Sequence, residues 1–335
     1  MEKRVKIPGI DRNNFEEVNS IILGNDNFLL ITHDFPDGDC LGSQVALYEL
    51  LVLLGKNVSM LCSSDIPYQY KFLPHADKIK KDIDSAILFC RDKNCICFCL
   101  DSADEGRFNA DIVMLKEIAG TIINIDHHPG NTCYGNINLI DSKKSATAEI
   151  IYELVELFYK DYLNYNIAIG IYTGILTDTG KFQYENTTNN VHRIVSHLLE
   201  FDLNPPVVFS YIYENEPFAR FKLVELVLKR IKLVKSKKLV YSYVLQKDFE
   251  KLKLPFSAND GIIELLRSAS EANIAALFKQ VSPGKFKVSL RSSESACSVE
   301  EIAARLGGGG HKLAAAYTSR GSLKKIIVSL VRAIN

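Results

Sequence analysis

Short apolar runs alternate with longer amphipathic segments along the first half of the chain. The runs that predict buried strands are FLLITH (28–33), NVSMLC (57–62), CICFCL (95–100) and TIINI (121–125). The segments that predict helices are GSQVALYELLVLLG (42–55), ADIVMLKEIAG (110–120), SATAEIIYELVELFY (145–159) and NIAIGIYTGILT (166–177). Strands that alternate with helices are typical of a parallel sheet with helices on both faces, so we expect an α/β fold.

The pattern loosens between about 190 and 220, where Pro205 and Pro206 interrupt helical segments, and then restarts. The segments that follow are a helix (221–230), two strands (231–236 and 238–245), a helix (262–269), two paired strands (274–280 and 285–292) and a capped helix (298–310). Ser298 and Glu301 predict a capping box, and Gly307 fits the position just past the helix end.

This organisation predicts two domains and a connection between them. We expect a catalytic parallel-sheet domain at residues 1–190, a helical linker at 191–220 and a smaller α/β domain at 221–335. A length of 335 residues suits two domains, and 47% hydrophobic with 24% charged residues is typical of a folded protein.

Charge and targeting signals narrow the function classes. The formal net charge is zero, which argues against a track for long nucleic acid but leaves small phosphorylated ligands open. The N-terminus has no signal peptide, and no apolar stretch approaches the ~20 residues needed to span a bilayer, so we expect a cytoplasmic protein without membrane contact. The eight cysteines, three of them alternating in CICFCL, lack a zinc-site spacing and are expected to be free thiols.

Acids and histidines follow the predicted strands at the point where each strand ends. The residues concerned are His33, Asp37 and Asp39 after the first run, Asp101 after CICFCL, Asp126, His127 and His128 after TIINI, and Asp178 after the apolar segment that ends at Thr177. In an open parallel sheet, ligands bind beyond the carboxyl ends of the strands. One such residue alone would be an ordinary solvated side chain, but several separate segments delivering them predict a common site.

Converging carboxylates repel one another unless a cation neutralises them, so this set indicates bound divalent metal. Carboxylate together with imidazole suits Mn²⁺ and can also hold cobalt, zinc or iron. Two metals ~3.5–4 Å apart that share a carboxylate can activate water and neutralise a phosphoryl group. The residues therefore predict a two-metal phosphoesterase.

Four motifs in order resemble those of the DHH phosphoesterase superfamily: HDFPDGD (33–39), LDSAD (100–104), NIDHHPGN (124–131) and ILTDTGKF (175–182). VSLRSSES (288–295) and IAARLGGGGHKLAAA (302–316) resemble the DHH-associated C-terminal domain. Within the superfamily the chain is most similar to the single-chain NrnA-type nanoRNases and pAp phosphatases, a group that includes cyclic-di-AMP and pApA phosphodiesterases.

The resemblance implies a role for each residue. The implied ligands are His33 and Asp37 for one metal, Asp39, His127 and Asp178 for the second, and Asp101 as the bridge. Asp126 would orient a ligating histidine, and His128 would contact the scissile phosphate and help to stabilise charge or transfer a proton. The implied substrate contacts are Arg291, Gly307, Gly308, Gly309, Gly310, His311 and, from the first domain, Arg107.

The function implied is hydrolysis of short phosphorylated nucleotides with two divalent ions, Mn²⁺ above all. The substrates in view are RNA of two to five nucleotides, pAp, and linear or cyclic di-adenylates, and these motifs do not rank them. The alternatives are an exopolyphosphatase or pyrophosphatase, which shares the N-terminal motifs, and a catalytically silent nucleotide sensor. The oligomeric state stays open.

Overall fold

The computed structural model describes residues 12–91, 95–108, 117, 119–259, 261–293 and 297–334, without the side chain of His311. The chain divides into two compact units, Met1–Asn215 and Glu216–Asn335. This division falls inside the segment 191–220 that was expected to be a linker. Most of the helix expected at 110–120 lies outside the described residues.

The first unit is built on a parallel sheet. Its strands are β1 (Asn27–Thr32), β2 (Asn57–Leu61), β3 (Cys95–Leu100), β4 (Ala119–Asp126) and β5 (Ile137–Ile140). They pair in the order β2-β1-β3-β4-β5, and every pairing is parallel. The strand order reverses between β1 and β3, so a crevice for ligands is expected at the carboxyl ends of these two strands. The α/β expectation is confirmed, although β5 was not predicted from the sequence.

Apolar side chains on alternate strand positions face two separate clusters, one on each side of the sheet. Phe28, Leu30 and Phe98 belong to the larger cluster, whereas Cys97 and Cys99 belong to the smaller one. Strands buried on both faces require helices on both faces, as the sequence predicted. All eight cysteines are free, in agreement with the sequence.

The helices of the first unit are α1 (Arg12–Gly24), α2 (Gly38–Leu53), α3 (Ile83–Cys90), α4 (Thr147–Phe158), α5 (Tyr165–Asp178), α6 (Asn189–Leu198) and α7 (Pro205–Tyr213). Short 3₁₀ turns lie at Tyr68–Tyr70, Ala76–Lys78, Glu105–Arg107, Lys160–Tyr162 and Leu199–Phe201. Pro205 and Pro206 lie in the first turn of α7. The N–H groups of a first turn have no acceptor within their own helix, so proline is tolerated there, and these two prolines begin a new helix after the break.

Helices α2 and α5 touch through glycines. A Cβ atom on Gly42 would lie 2.3 Å from the carbonyl oxygen of Gly170, so the two backbones are in direct contact. At the other end of this contact, a Cβ on Gly174 would lie 2.7 Å from Oδ1 of Asp39. A larger side chain at any of these glycines would push α5 away from α2. Because the glycines allow this close contact, the start of α2 lies against the end of α5, which carries Asp178.

The second unit contains a mixed sheet. Its strands are β6 (Lys232–Val234), β7 (Leu239–Val244), β8 (Ile274–Ser282), β9 (Lys285–Ser292), β10 (Gly309–His311) and β11 (Ala314–Arg320), in the order β10-β11-β9-β8-β7-β6. Its helices are α8 (Phe218–Lys229), α9 (Gln246–Leu252), α10 (Ile262–Arg267), α11 (Val299–Arg305) and α12 (Leu323–Ala333), with 3₁₀ turns at Lys235–Lys237 and Phe256–Asn259. Strands β8 and β9 pair antiparallel, as predicted. None of the helices described in either unit combines the length and hydrophobicity that crossing a bilayer demands.

The two ends of α11 carry one of the two hydrogen bonds of the predicted capping box and the predicted glycine after the C-cap. The Ser298 side chain accepts a hydrogen bond from the Glu301 N–H at 3.4 Å. Gly307 has a φ of 80° one residue after the C-cap, a conformation that glycine adopts without strain. The capped helix that was expected at 298–310 ends at Arg305, and the second half of the glycine run pairs with β11 as β10.

Candidate active site

The polar residues predicted from four segments meet at the carboxyl edge of the parallel sheet. Asp37 caps helix α2, where its Oδ1 accepts hydrogen bonds from the N–H groups of Asp39 and Cys40, both at 3.1 Å. Asp39 then points inward from the first turn of that helix and is fully buried. The N-terminus of α2 therefore delivers two carboxylates from one turn of chain.

The N-terminus of helix α4 holds the Asp39 carboxylate. Its Oδ2 accepts a hydrogen bond from the Thr147 N–H at 2.6 Å, and its Oδ1 accepts one from the Ala148 N–H at 2.9 Å. These N–H groups have no partner within their own helix, and the helix dipole favours a negative charge beside them. Asp39 is therefore fixed in orientation by the backbone at the start of a second helix.

Asp101 lies at the centre of the site. It is 2% exposed, and its φ of 58° is unusual for a residue other than glycine. Its Oδ1 accepts a hydrogen bond from the Thr147 hydroxyl at 2.9 Å and lies 3.6 Å from Nε2 of His127. Its Oδ2 lies 3.6 Å from Nε2 of His33. The two carboxylate oxygens thus face two different histidines.

The histidines present their Nε2 atoms to these carboxylates. Nδ1–H of His33 donates to the Asp34 carbonyl at 2.8 Å, and Nδ1 of His127 faces the Lys144 carbonyl at 3.4 Å. Within the described residues, both Nε2 atoms are buried without a hydrogen-bond partner. His127 Nε2 lies 3.1 Å from Oδ2 of Asp178 without the alignment of a hydrogen bond.

This donor set fits a divalent cation. A ligating histidine commonly donates one ring N–H to a carbonyl and turns the other nitrogen to the metal, which is the arrangement of His33 and His127. The groups whose potential ligand atoms lie within 4.8 Å of one another are His33 with Asp37 and Cys40, Asp39 with His127 and Asp178, and Asp101 with His127 and His128. Buried carboxylates beside orphaned imidazole nitrogens are the chemistry that a cation completes.

The crowding of carboxylates changes their acidity. Burial raises the pKa of Asp39 well above its ordinary range, and the charges of Asp101 and Asp178 raise it further. Desolvation in the crowded site and the same two neighbours raise the pKa of Asp37 to about 6, although half of its side chain is exposed. Without a cation, the site is therefore short of positive charge.

The same carboxylates favour the charged form of the histidines, whereas they disfavour the charged form of Asp37 and Asp39. Burial lowers the pKa of His127, but the carboxylates of Asp178 and Asp101 outweigh burial and raise it well above the ordinary value. Burial likewise opposes a raised pKa at His33, where Asp101 again outweighs it. Burial would raise the pKa of Asp101, yet contact with His33 and the charges of His127 and His128 hold that pKa below its usual value.

Asp126 contacts His128, whereas the resemblance implied that it would orient a histidine that binds metal. Its Oδ1 accepts a hydrogen bond from Nδ1–H of His128 at 2.7 Å, and its Oδ2 accepts one from the Asn131 side chain at 2.6 Å. Asp126 therefore orients His128, the residue expected at the phosphate, and not the expected ligand His127. Burial lowers the pKa of His128, but Asp126 and Asp101 outweigh it and raise that pKa.

The expected substrate contacts come from the turn after β3 and from the second unit. Arg107 lies in the turn after β3, and its carbonyl oxygen accepts the Asp34 N–H at 2.9 Å. Arg291 lies in β9 of the second unit, where its Nε donates to Glu264 at 3.0 Å. Close packing explains the glycine at position 308 without a substrate, because a Cβ on Gly308 would lie 2.2 Å from the Ala316 carbonyl oxygen.

Sequence reasoning missed the residues that support the ligands. Thr147 donates hydrogen bonds to both Asp39 and Asp101. The segment before Thr147 is held in place because Glu149 accepts hydrogen bonds from the N–H and the hydroxyl of Ser145, both at 2.8 Å. The available signal was the stretch Ser145–Ala146–Thr147 at the start of a predicted helix. Hydroxyl residues there also fit ordinary capping, so the pattern alone did not reveal their contact with the carboxylates.

Comparison with known proteins gives matches over most of the chain. A family model described as "DHH family, N-terminal domain" matches residues 27–175, and one described as "DHHA1 domain" matches residues 236–334. The bifunctional oligoribonuclease and PAP phosphatase NrnA of Thermus thermophilus is 32% identical over 301 residues, which cover 87% of this chain and 84% of that protein. The protein of that name from Bacillus subtilis is 26% identical over 295 residues, covering 86% of this chain and 88% of that protein.

A solved structure shares the fold. The crystal structure of an exopolyphosphatase-related protein from Bacteroides fragilis superposes with a TM-score of 0.91. The match covers 98% of this chain and 97% of that chain, at 22% sequence identity. Similarity at this level of identity concerns the fold.

Proposed function

The chain belongs to the DHH family, and we propose that it is a metal-dependent phosphoesterase that hydrolyses short oligoribonucleotides and pAp. The observation that carries this proposal is the meeting of carboxylates from separate segments with two buried imidazole nitrogens that lack a partner among the described residues. The relatives from Thermus thermophilus and Bacillus subtilis are named for these two activities, which supports the choice of substrates.

The cluster holds two divalent ions in this proposal, with Mn²⁺ preferred because carboxylate and imidazole are mixed. The assigned ligands are His33 and Asp37 for one ion, Asp39, His127 and Asp178 for the other, and Asp101 between them. Asp101 suits that position because its two oxygens face His33 and His127 at the same 3.6 Å. When bound, such ions supply Lewis-acid stabilisation of phosphoryl charge and make water more acidic.

The Asp126–His128 pair provides the proton chemistry. The Asp126 carboxylate accepts Nδ1–H of His128, which leaves Nε2 free to face substrate. The contact also raises the His128 pKa, so the ring carries a proton at neutral pH more readily than a free histidine. His128 can therefore donate a hydrogen bond to a phosphate oxygen, or a proton to a leaving oxygen, while Asp126 keeps the ring in place.

Further substrate contacts complete the proposal. Arg107 and Arg291 each offer a guanidinium to a phosphate group, and the segment 307–311 offers backbone N–H groups. RNA dimers to pentamers, pAp, pApA and cyclic-di-AMP share the phosphate chemistry that such contacts recognise. We also propose a reducing, cytoplasmic setting, which the eight free cysteines support.

An activity panel tests the proposal. Purified protein with Mn²⁺ is incubated with pAp, pApA, cyclic-di-AMP, short RNA and pyrophosphate, with and without a chelator. We expect turnover of pAp and short RNA that the chelator stops. His127→Ala is expected to abolish turnover, and His192→Ala, which changes a histidine of α6 outside the cluster, is expected to retain it.

Two results would reassign the protein. Strong pyrophosphate turnover without activity on any nucleotide would place it among the pyrophosphatases. Nucleotide binding without turnover in Mn²⁺, Mg²⁺, Co²⁺ or Zn²⁺ would make it a nucleotide sensor.

A further inference from the structure

Phe35 stands in the chain between two of the assigned metal ligands, with its ring in solvent. At 86% exposed, it is the most exposed large hydrophobic side chain among the described residues. A single exposed apolar side chain is ordinary on a protein surface. Phe35 differs from an ordinary one in its fixed backbone and in its place beside the site.

The backbone of Phe35 is held in an unfavourable conformation. Its φ of 55° lies in the left-handed region, which a bulky residue rarely adopts. The Phe35 N–H donates to the Ser64 hydroxyl oxygen at 3.0 Å, and that hydroxyl donates to Oδ1 of Asp34 at 3.4 Å. Asp34 in turn donates its N–H to the Arg107 carbonyl at 2.9 Å. The loop is thus tied to the segments after β2 and after β3, and strain held in this way is typical of functional positions.

The ring has no partner of its own in the part of the chain that the structure describes. By contrast Phe218, which is 75% exposed, lies 6.5 Å from the ring of Phe221 and beside the Lys222 ammonium group. Phe35 therefore presents an exposed aromatic ring from a backbone that hydrogen bonds hold in place. Among the described residues, no protein group contacts the ring in a way that would explain a phenylalanine there.

The position of Phe35 matches the reach of a nucleoside. His33 and Asp37 are each two residues away, and two residues span at most about 7 Å. A nucleotide whose phosphate lies at the carboxylate–histidine cluster can bring its base to this distance. Aromatic side chains stack on every base, because each base has a π face.

We propose that Phe35 is a specificity residue on which a nucleobase of the substrate stacks. The inference rests on the proposed function and deepens it, because it makes the site selective for nucleotides over phosphates that lack a base. Stacking of this kind tolerates any base, which agrees with substrates defined by their length and not by their sequence.

Kinetics with a matched pair of substrates test the proposal. One substrate is pAp, and the other is the abasic sugar bisphosphate that keeps both phosphates but lacks adenine. We expect Phe35→Ala to raise KM for pAp about 5- to 100-fold, the range for losing one base stack, and to leave KM for the abasic compound unchanged. Phe35→Tyr is expected to restore the low KM, and Phe35→Leu, which is apolar but not aromatic, is not.

Fluorescence gives a direct readout, because the chain contains no tryptophan. Phe35→Trp creates a single tryptophan, which can be excited selectively; AMP should quench its emission in the presence of Mg²⁺ and ribose 5-phosphate should not. AMP serves because it is the product of pAp hydrolysis. Leu88→Trp is the control: Leu88 is 71% exposed near the end of α3, which leads to the start of β3 at the opposite edge of the sheet.

The possible outcomes separate this inference from the proposed function. If wild-type protein turns over pAp while Phe35→Ala keeps the same KM, the stacking role is overturned and the enzyme assignment stands. An equal rise of KM for pAp and the abasic compound would show that Phe35 supports the loop and not the base. If wild-type protein turns over no nucleotide and AMP quenches neither tryptophan, both ideas fail.

Discussion

Two buried clusters of carboxylate and histidine lie along helix α2, and they differ in how completely their polar atoms are paired. Glu49, near the end of the helix, accepts hydrogen bonds from His75 at 2.6 Å, Asn164 at 2.9 Å and Asn166 at 3.2 Å. Burial alone would raise its pKa, but these three donors outweigh burial and lower it. This cluster is satisfied by protein groups alone.

Asp39, in the first turn of the same helix, belongs to a cluster that is not fully paired, although its own oxygens accept two backbone N–H groups. It is more deeply buried than Glu49, and its pKa is raised well above the ordinary range by burial and by Asp101 and Asp178. Two histidine Nε2 atoms nearby have no hydrogen-bond partner within the described chain. A paired cluster stabilises the fold by itself, whereas an under-neutralised one opposes folding until a cation binds. The contrast distinguishes a structural cluster from a functional one.

The largest expected effect comes from removing one charge of the under-neutralised cluster. Asp37→Asn keeps the cap of α2, because asparagine caps as well as aspartate and the capping oxygen is Oδ1. We expect kcat/KM for pAp to fall by at least about 100-fold, as for loss of one charge-stabilising group. The metal-free protein should be no less stable than wild type above about pH 6, because the raised pKa of Asp37 means that its charge opposes folding there. Turnover assays and chemical denaturation in chelator check both expectations, and a metal-free variant much less stable than wild type would contradict the second.

The next effect is the gain of stability on adding metal. At a free Mn²⁺ concentration 100 times Kd, the free energy of unfolding should rise by about 2.7 kcal/mol. At one fixed Mn²⁺ concentration, the gain should increase from about pH 6 to about pH 8, because Kd falls as the proposed ligands lose their protons. The pKa values of His33 and His127 are raised, so their stabilising protons are present below the ordinary histidine pKa and are lost as pH rises through the folded values.

The raised pKa values of Asp37 and Asp39 act in the same direction, because ionisation of each destabilises the metal-free fold as pH rises. The lowered pKa of Asp101 acts oppositely, but only in acid, where stability is lost as pH falls through its folded value. Thermal unfolding with and without Mn²⁺ at several pH values measures the difference. A gain independent of pH would contradict the assignment of these groups as ligands.

A smaller effect is expected from the support of the ligands. Thr147→Val removes the hydroxyl that donates to Asp101 but keeps the shape of the side chain and the N–H that holds Asp39. We expect Mn²⁺ affinity to fall about 10- to 100-fold, the usual range for a group that orients metal ligands. Thr147→Ser should restore affinity, since it keeps the hydroxyl. Calorimetric titration decides: equal losses in the valine and serine variants would indicate a packing defect.

Sequence periodicity brought most of the proposed ligands to one edge because they follow strands that are apolar throughout, whereas Asp178 ends helix α5. The runs 28–33, 95–100 and 121–125 had few alternatives to buried strands, so the residues after them had to lie at one edge of a parallel sheet. Short or weakly patterned elements such as β5 and β10 escaped, because three or four residues carry too little periodicity to be recognised.

Contacts between side chains were harder to predict than elements. That Asp126 orients His128 depends on the directions of two adjacent side chains after β4, which no spacing rule specifies. The contact of Thr147 with Asp39 joins positions 108 residues apart along the chain. Phe35 was passed over inside a recognised motif because only the structure shows that its ring is exposed.

The smallest expected effect comes from the paired cluster, and it completes the comparison along α2. Glu49→Gln keeps the shape of the side chain but replaces one acceptor oxygen with a donor, so we expect the free energy of unfolding to fall by about 1 kcal/mol. Because the folded pKa of Glu49 is lowered, its stabilisation is present above the ordinary value of 4.5 and is lost as pH falls through the folded value, so wild type and variant should converge in acid. Mn²⁺ affinity and turnover of pAp should not change, since the contacts of Glu49 within the described residues are with His75, Asn164 and Asn166, which lie outside the proposed metal site. Chemical denaturation measures the free energy of unfolding, and calorimetric titration of the same preparation measures Mn²⁺ affinity. A loss of Mn²⁺ affinity comparable to that of Thr147→Val would mean that the two ends of α2 form one coupled network and not two independent clusters.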